Sequence, residues 1–198
     1  MKICLGYRLS LFAALLLCSA GAASAGPFDD ASYYANLGFG SIQGRQITTD
    51  DVTGRLGARF GSYIGVEGEA SVGVNKDHFA YSPPCSSVVC PMFVALMEAK
   101  LSNAEAGYVV GYLPIAPNTD LFARVGYGAA QYAAEAPLGH AFSEQGVNFG
   151  AGAQYFIDGA NGLRFDYTRT AVDNNNVVGR EALGSGANVW SIAYTRKF

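Results

Sequence analysis

From Tyr33 to the last residue, apolar side chains recur at every second position, and the pattern is interrupted and restarted along the chain. A period of two is the signature of a β-strand with one apolar face. "YYANLGFG" sorts Tyr33, Ala35, Leu37 and Phe39 from Tyr34, Asn36, Gly38 and Gly40. "VTGRLGARF" sorts Val52, Leu56, Ala58 and Phe60 from Thr53, Arg55, Gly57 and Arg59, and "YIGVEGEASVGV" sorts Ile64, Val66 and Val72 from Gly65, Glu67, Glu69 and Ser71. "LFARVGYGA", "VNFGAGAQYFI" and "LRFDYT" continue the series, with Leu121, Val125, Tyr127, Val147, Phe149, Tyr155, Leu163 and Phe165 on the apolar side. The last strand is "VWSIAYTRKF", where Trp190, Ile192, Tyr194, Arg196 and Phe198 form one stripe. Residues 104–113 complete the set, with Ala104, Ala106, Tyr108, Val110 and Tyr112 read as the apolar face. Residues 95–103 carry good helix formers and fit either a helix or an extension of that strand.

These eight strands are joined alternately by short and long connections. Residues 61–63, 114–120 and 158–161 are short; 43–50, 75–103, 132–145 and 171–187 are long. An even strand count with turns at one end and loops at the other is the layout of an outer-membrane barrel, and ~9–11 residues per strand suffice to cross a bilayer at a tilt. The fold expected is all-β: an eight-stranded antiparallel up-and-down transmembrane β-barrel. A soluble sandwich would produce the same alternation with the apolar face turned into a core. The N-terminus, the loop pattern and the final stripe favour the membrane.

Residues 1–25, "MKICLGYRLSLFAALLLCSAGAASA", read as a secretory signal peptide: Lys2 and Arg8, an apolar run from Leu9 to Cys18, then small residues to Ala25. The run is short of the ~20 residues of a helical span. Lipidation at Cys18 would require a small residue where Leu17 stands. Residues 26–198 are then the barrel domain. Export places Cys85 and Cys90 of "SPPCSSVVCP" in an oxidising compartment, which predicts a local disulfide contributing roughly 2 kcal/mol in the chain-entropy model. A metal site there would need ligands, and the only histidines are His78 and His140. The net charge of −3 gives no reason to expect a nucleic-acid partner, and no motif implies a cofactor.

The polar faces carry charge. Arg55, Arg59, Glu67, Glu69, Arg124, Arg164 and Asp166, with Glu105 and Lys197, are placed inside the barrel. Eight strands leave an interior that side chains can fill, and buried charges must be paired. Arg55 and Arg59 lie on the strand next to that of Glu67 and Glu69, so cross-strand pairs are expected. The network reads as a polar plug or, alternatively, as an ion path or gate.

Three stretches carry a family resemblance: "GARFGSYIGVEGEASVG", "LFARVGYGAA" and "GAGAQYFIDGANGLRFDYTRT". In their order along the chain they resemble the small eight-stranded outer-membrane barrels of Gram-negative bacteria: the OmpA-like transmembrane domain and the opacity, Ail and OmpX group, often labelled porin family. The resemblance implies an outer-membrane location, contact with lipid and lipopolysaccharide, a monomer, and a C-terminal insertion signal of Trp190, Ile192, Tyr194 and Phe198 read by the barrel-assembly machinery. Arg196 departs from that signal, since an aromatic or aliphatic residue is typical there.

The function expected is a structural or adhesin-like surface role through the long loops, with a host or surface ligand. Loop 75–103, bearing Phe79, Tyr81, Val88, Val89, Met92 and Phe93, is either a contact site or a lid on the barrel mouth. The alternative is a narrow porin-like channel for small ions or solutes. An outer-membrane lipid-modifying enzyme would rest on His140 and Ser143 of "GHAFSEQ", which match no nucleophilic arrangement and lack an acidic orienter, so no enzyme is expected.

Overall fold

A computed structural model describes residues 31–81, 95–135, 141–171 and 177–198. The strands are β1 (Ala31–Gln43), β2 (Thr48–Phe60), β3 (Ile64–Gly73), β4 (Asp77–Tyr81), β5 (Ala95–Ala116), β6 (Thr119–Glu135), β7 (Phe142–Phe156), β8 (Asn161–Ala171) and β9 (Gly186–Lys197), with one helix, α1 (Val177–Leu183), before β9. They pair in the order β3-β2-β1-β9-β8-β7-β6-β5, and β3 pairs with β5 to close the ring. All of these pairings are antiparallel. β4 continues the line of β3 after a break and pairs with the first part of β5, so the barrel has eight staves. Closure leaves no unpaired edge in the wall, the condition for a sheet in hydrocarbon.

The alternation sorts the wall as expected on seven staves. Leu37, Phe39, Leu56, Val66, Val125, Phe149, Phe165 and Ile192 face outward and are exposed, while Arg55, Glu67, Arg124, Arg164, Asp166, Ser191 and Thr195 are buried inside. An apolar exterior around a polar interior is the inversion that a lipid solvent demands. On β5 the parity is the reverse of that read from sequence. Tyr108, Val110 and Tyr112 are buried in the lumen, and Val109 and Leu113 face out. The phenol hydroxyls decide the matter, because inside they reach polar partners that lipid would not offer. The same parity turns Glu105 outward, where it is exposed, rather than into the lumen. Residues 95–103 are strand, continuous with β5 apart from a register shift between Leu101 and Asn103.

One end of the barrel has tight turns. β2 and β3 are joined at Gly61, whose φ of 61° lies in the left-handed region, and β7 and β8 at Gly159, with φ 79°. At the other end β5 and β6, the two longest strands at 22 and 17 residues, stay paired out to Glu98 and Glu135. There α1 is tied to the segment between β1 and β2 by the Gln46 amide, which donates to the Ala182 carbonyl at 2.9 Å, and its last turn is closed by the Gly184 amide on the Arg180 carbonyl at 3.0 Å. Ala182 and Leu183 bury against Ile42, Ile47, Met97, Leu101, Tyr132 and Phe142, forming an apolar cluster across the outer mouth.

Candidate functional site

The lumen is filled in layers. At mid-height three arginines meet three carboxylates. Arg164 Nη1 lies 2.5 Å from Glu67 Oε2, and Arg164 Nη2 lies 3.0 Å from Asp166 Oδ1. Arg124 Nη1 bridges Glu67 Oε1 at 2.9 Å and Glu69 Oε2 at 2.8 Å. Arg55 Nε lies 2.6 Å from Glu69 Oε2, its cross-strand neighbour in register, and Arg55 Nη1 lies 3.3 Å from Asp166 Oδ2. Hydroxyls complete the layer: Arg55 Nη2 donates to Ser191 Oγ at 2.9 Å, Arg124 Nη2 to Thr168 Oγ1 at 2.7 Å, and the Tyr34 hydroxyl to Glu67 Oε2 at 3.0 Å. The arginine planes also rest on rings, with Arg124 over Tyr108 at 4.3 Å and Arg164 over Phe122 at 4.1 Å. The charges sum to zero and each has partners, the condition for tolerating them away from water.

Arg59 departs from the expected pairing. Glu67 stands opposite Gly57 and Arg59 opposite Gly65, so no carboxylate faces Arg59 across β2 and β3. Arg59 instead reaches Asp120 of β6 at 2.7 Å, with Tyr112 beneath its guanidinium at 4.4 Å. Gln154 Nε2 also donates to Asp120 Oδ2 at 2.8 Å. Asp120 and Gln154 are inward members of alternating strands. Parity puts Gln154 on the polar face of its strand in the sequence, whereas Asp120 falls in the short connection 114–120 there and in the structure begins the inward face of β6. Below this pair a vestibule of about 590 Å³ opens at the turn end, and Lys197 Nζ there sits 3.5 Å from the centre of the Phe156 ring.

Above the mid-height layer lies a cavity of about 70 Å³, bounded by Asp51, Thr53, Tyr108, Tyr132 and Asn148 among others and roofed by Ile42 and Leu183. The cavity and the vestibule share no lining residue. Glycines make room for large inward side chains in two clear cases. The Tyr34 ring lies across Gly57 where a Cβ would stand, and the Phe122 ring lies across Gly152.

Ser143 sits on β7 with its side chain exposed on the outer face. His140, Cys85 and Cys90, and most of the apolar residues of loop 75–103, lie outside the described residues. Phe79 is buried in the apolar cluster. On β9 the outward stripe runs from Trp190, packed 4.5 Å from the Tyr167 ring, through Ile192 and Tyr194 to Phe198, whose amide donates to the Tyr33 carbonyl at 2.8 Å. The Arg196 guanidinium stands 5.7 Å from the Phe198 ring centre, beside the turn end.

A closed eight-stave barrel with an apolar exterior and a neutralised charged lumen defines a small integral outer-membrane protein. Residues 10–198 match the family described as outer membrane protein beta-barrel domain, and the chain belongs to that family. Among solved structures it is similar to Ail, the attachment invasion locus protein of Yersinia pestis, in complex with the heparin analogue sucrose octasulfate. That match has 13% identity and a TM-score of 0.51, covering 85% of this chain and 97% of that one. The N-terminal β-barrel domain of Pseudomonas aeruginosa OprF is similar too, at 9% identity and a TM-score of 0.51, covering 84% and 97%. At these identities the likeness is one of fold. None of the curated proteins matches the chain. The protein is therefore an outer-membrane β-barrel protein, with a fold shared with Ail and with the OprF barrel domain.

Proposed function

We propose that this protein works at the cell surface through its outer loops, in a structural and adhesin-like role, as a monomeric, non-enzymatic barrel. The observation that carries this reading is the closed lumen. The Arg164–Glu67–Arg124 layer separates the inner vestibule from the outer cavity, and the apolar cluster with α1 roofs that cavity. Transit of solute would require breaking ion pairs that have no replacement solvent, at a cost of several kcal/mol per uncompensated charge. The length of β5 and β6, 22 and 17 residues against the ~9–11 that cross a bilayer, supports the same reading.

In this reading residues 1–25 direct export, and 26–198 form the mature barrel. The assembly machinery inserts it by way of Trp190, Ile192, Tyr194 and Phe198, lipopolysaccharide and lipid cover the belt, and a Cys85–Cys90 disulfide staples the segment between β4 and β5. The complex of Ail with a heparin analogue makes a carbohydrate polymer of the host surface the first ligand to test. The experiment expresses the chain with residues 82–94 replaced by a Gly-Ser linker. Adhesion to host matrix should fall while heat-modifiable gel migration stays unchanged. Unchanged adhesion, together with conductance steps from the wild type in planar bilayers, would replace this reading with the channel.

A further inference from the structure

The roofed cavity contains a carboxylate that the lumen's ion pairs do not neutralise. Asp51, on β2, is 2% exposed. Its Oδ2 accepts from the Thr53 hydroxyl, and the Thr53 oxygen in turn lies 2.7 Å from Ser71 Oγ. The Thr53 proton is committed to Asp51, so Ser71 must donate to Thr53, and the relay runs Ser71 to Thr53 to Asp51. Both hydroxyl protons thus point toward a group that acts as an acceptor. Oδ1 of Asp51 is buried and has no hydrogen-bond partner among the described residues.

The cavity faces a second acceptor of the same kind. Asn148 is on β7, four staves from β2 and so across the lumen. Its Nδ2 donates to the Tyr108 hydroxyl at 3.1 Å, which fixes the amide and leaves Oδ1 buried, also without a partner among the described residues. Glu144 lines the same cavity from β7 and brings a second negative charge. Among the described residues no cation is paired with Asp51. Arg55 and Arg124 also line the cavity, but their charged contacts are made to Glu67, Glu69 and Asp166 in the layer below.

Buried oxygen acceptors without donors cost free energy, and a buried carboxylate without a counter-charge costs more. Carboxylate, amide and hydroxyl oxygens together form the donor set of a hard cation. At about 70 Å³ the space exceeds several-fold the ~10–15 Å³ that seats one water, so it takes an ion with part of its hydration. We propose that this cavity is a cation site. A hard cation is held by Asp51 Oδ1, with water completing its shell and linking it across the cavity to Asn148 Oδ1, and it neutralises Asp51. Because Leu183 and Ile42 roof the cavity, the ion is taken up as the barrel closes and then exchanges slowly.

The test refolds the full chain into uncharged phosphatidylcholine vesicles in calcium chloride, sodium chloride or choline chloride at equal ionic strength. Radioactive calcium or sodium retained after gel filtration is counted, and the urea midpoint is measured in each salt. The wild type should retain one ion per barrel, and its midpoint should rise with the concentration of that ion but not with choline. Asp51→Asn should retain none and lose the salt dependence. Retention of calcium would identify a divalent site using Glu144 as well, and retention of sodium a monovalent one. If Asp51→Asn fails to fold, the wild-type counts decide alone. No retained ion, with equal midpoints in all three salts, would overturn the proposal and leave a cavity of water.

Discussion

Arg164 and Glu67 are joined at 2.5 Å although β8 and β3, which carry them, are four staves apart in a ring of eight. Their contact is a strut across the full width of the lumen. Arg124 braces it from β6 and Asp166 from β8 itself.

The strut's removal has a defined signature. Glu67→Leu leaves three arginines facing two carboxylates in the layer, and breaking a buried pair from one side costs about 3–5 kcal/mol. The double change Glu67→Leu with Arg164→Met restores the charge balance and should recover a large part of that loss. Urea unfolding in vesicles, followed by the fluorescence of Trp190, the only tryptophan, measures both. A double variant no better than the single one would refute the argument from charge balance.

Gly57 and Tyr34 make a second coupled pair, since the Tyr34 ring fills the space a side chain at 57 would need. Gly57→Val should destabilise by about 1–3 kcal/mol, the ordinary range for overpacking. Tyr34→Ala in the same chain should relieve part of the clash, although it sacrifices the hydroxyl bonds to Glu67 and Tyr112. The coupling energy from the double-mutant cycle is the quantity to measure.

The turn between β7 and β8 titrates. The Asn161 amide at 2.6 Å, the Asn161 side chain at 2.7 Å and the Ala160 amide at 3.0 Å hold the Asp158 carboxyl below its usual range. A carboxylate with a depressed folded-state pKa contributes stability above its unfolded value, near 4, and loses it as pH falls through the depressed value. The midpoint difference between wild type and Asp158→Ala should therefore be largest at neutral pH and shrink below about pH 4. A constant difference would mean that the charge plays no part.

Deleting Phe198 removes one backbone bond, to Tyr33, and the end of the outward stripe. If this stripe is the address for insertion, the deletion should sharply lower the amount reaching the outer membrane in cells while leaving detergent refolding of the purified chain nearly unchanged. Arg196→Tyr should alter stability by no more than about 1 kcal/mol, the range for a charge near the interface, because the guanidinium can reach the headgroup level.

Most of the barrel was legible because period two is a geometric property of strands, and a lipid solvent enforces it on every stave. Four staves carried a charge that marks the inner face, Arg55 on β2, Glu67 on β3, Arg124 on β6 and Arg164 on β8, and β1, β7 and β9 were oriented by their apolar stripe. β5 has no such marker. Its tyrosines count as apolar in a pattern, yet their hydroxyls belong with Glu69 and Tyr34. Parity cannot say which face is which when amphipathic residues occupy both options. α1 was hidden in a loop because seven residues are too few to display a helical period. The Arg59–Asp120 pair escaped for a different reason: a barrel brings non-neighbouring strands into contact through its interior, and cross-strand reasoning sees only neighbours.

The charge layer also dictates an order of events. Glu67 and Glu69 belong to an early stave, and the guanidinium of Arg164 and carboxylate of Asp166 to the next to last. A barrel begun from its first strands holds unanswered charge in a narrowing space until β8 arrives. A partial barrel that lacks β8 therefore carries an electrostatic penalty that the complete ring does not. Only the closed ring sets the three arginines of that layer against its three carboxylates.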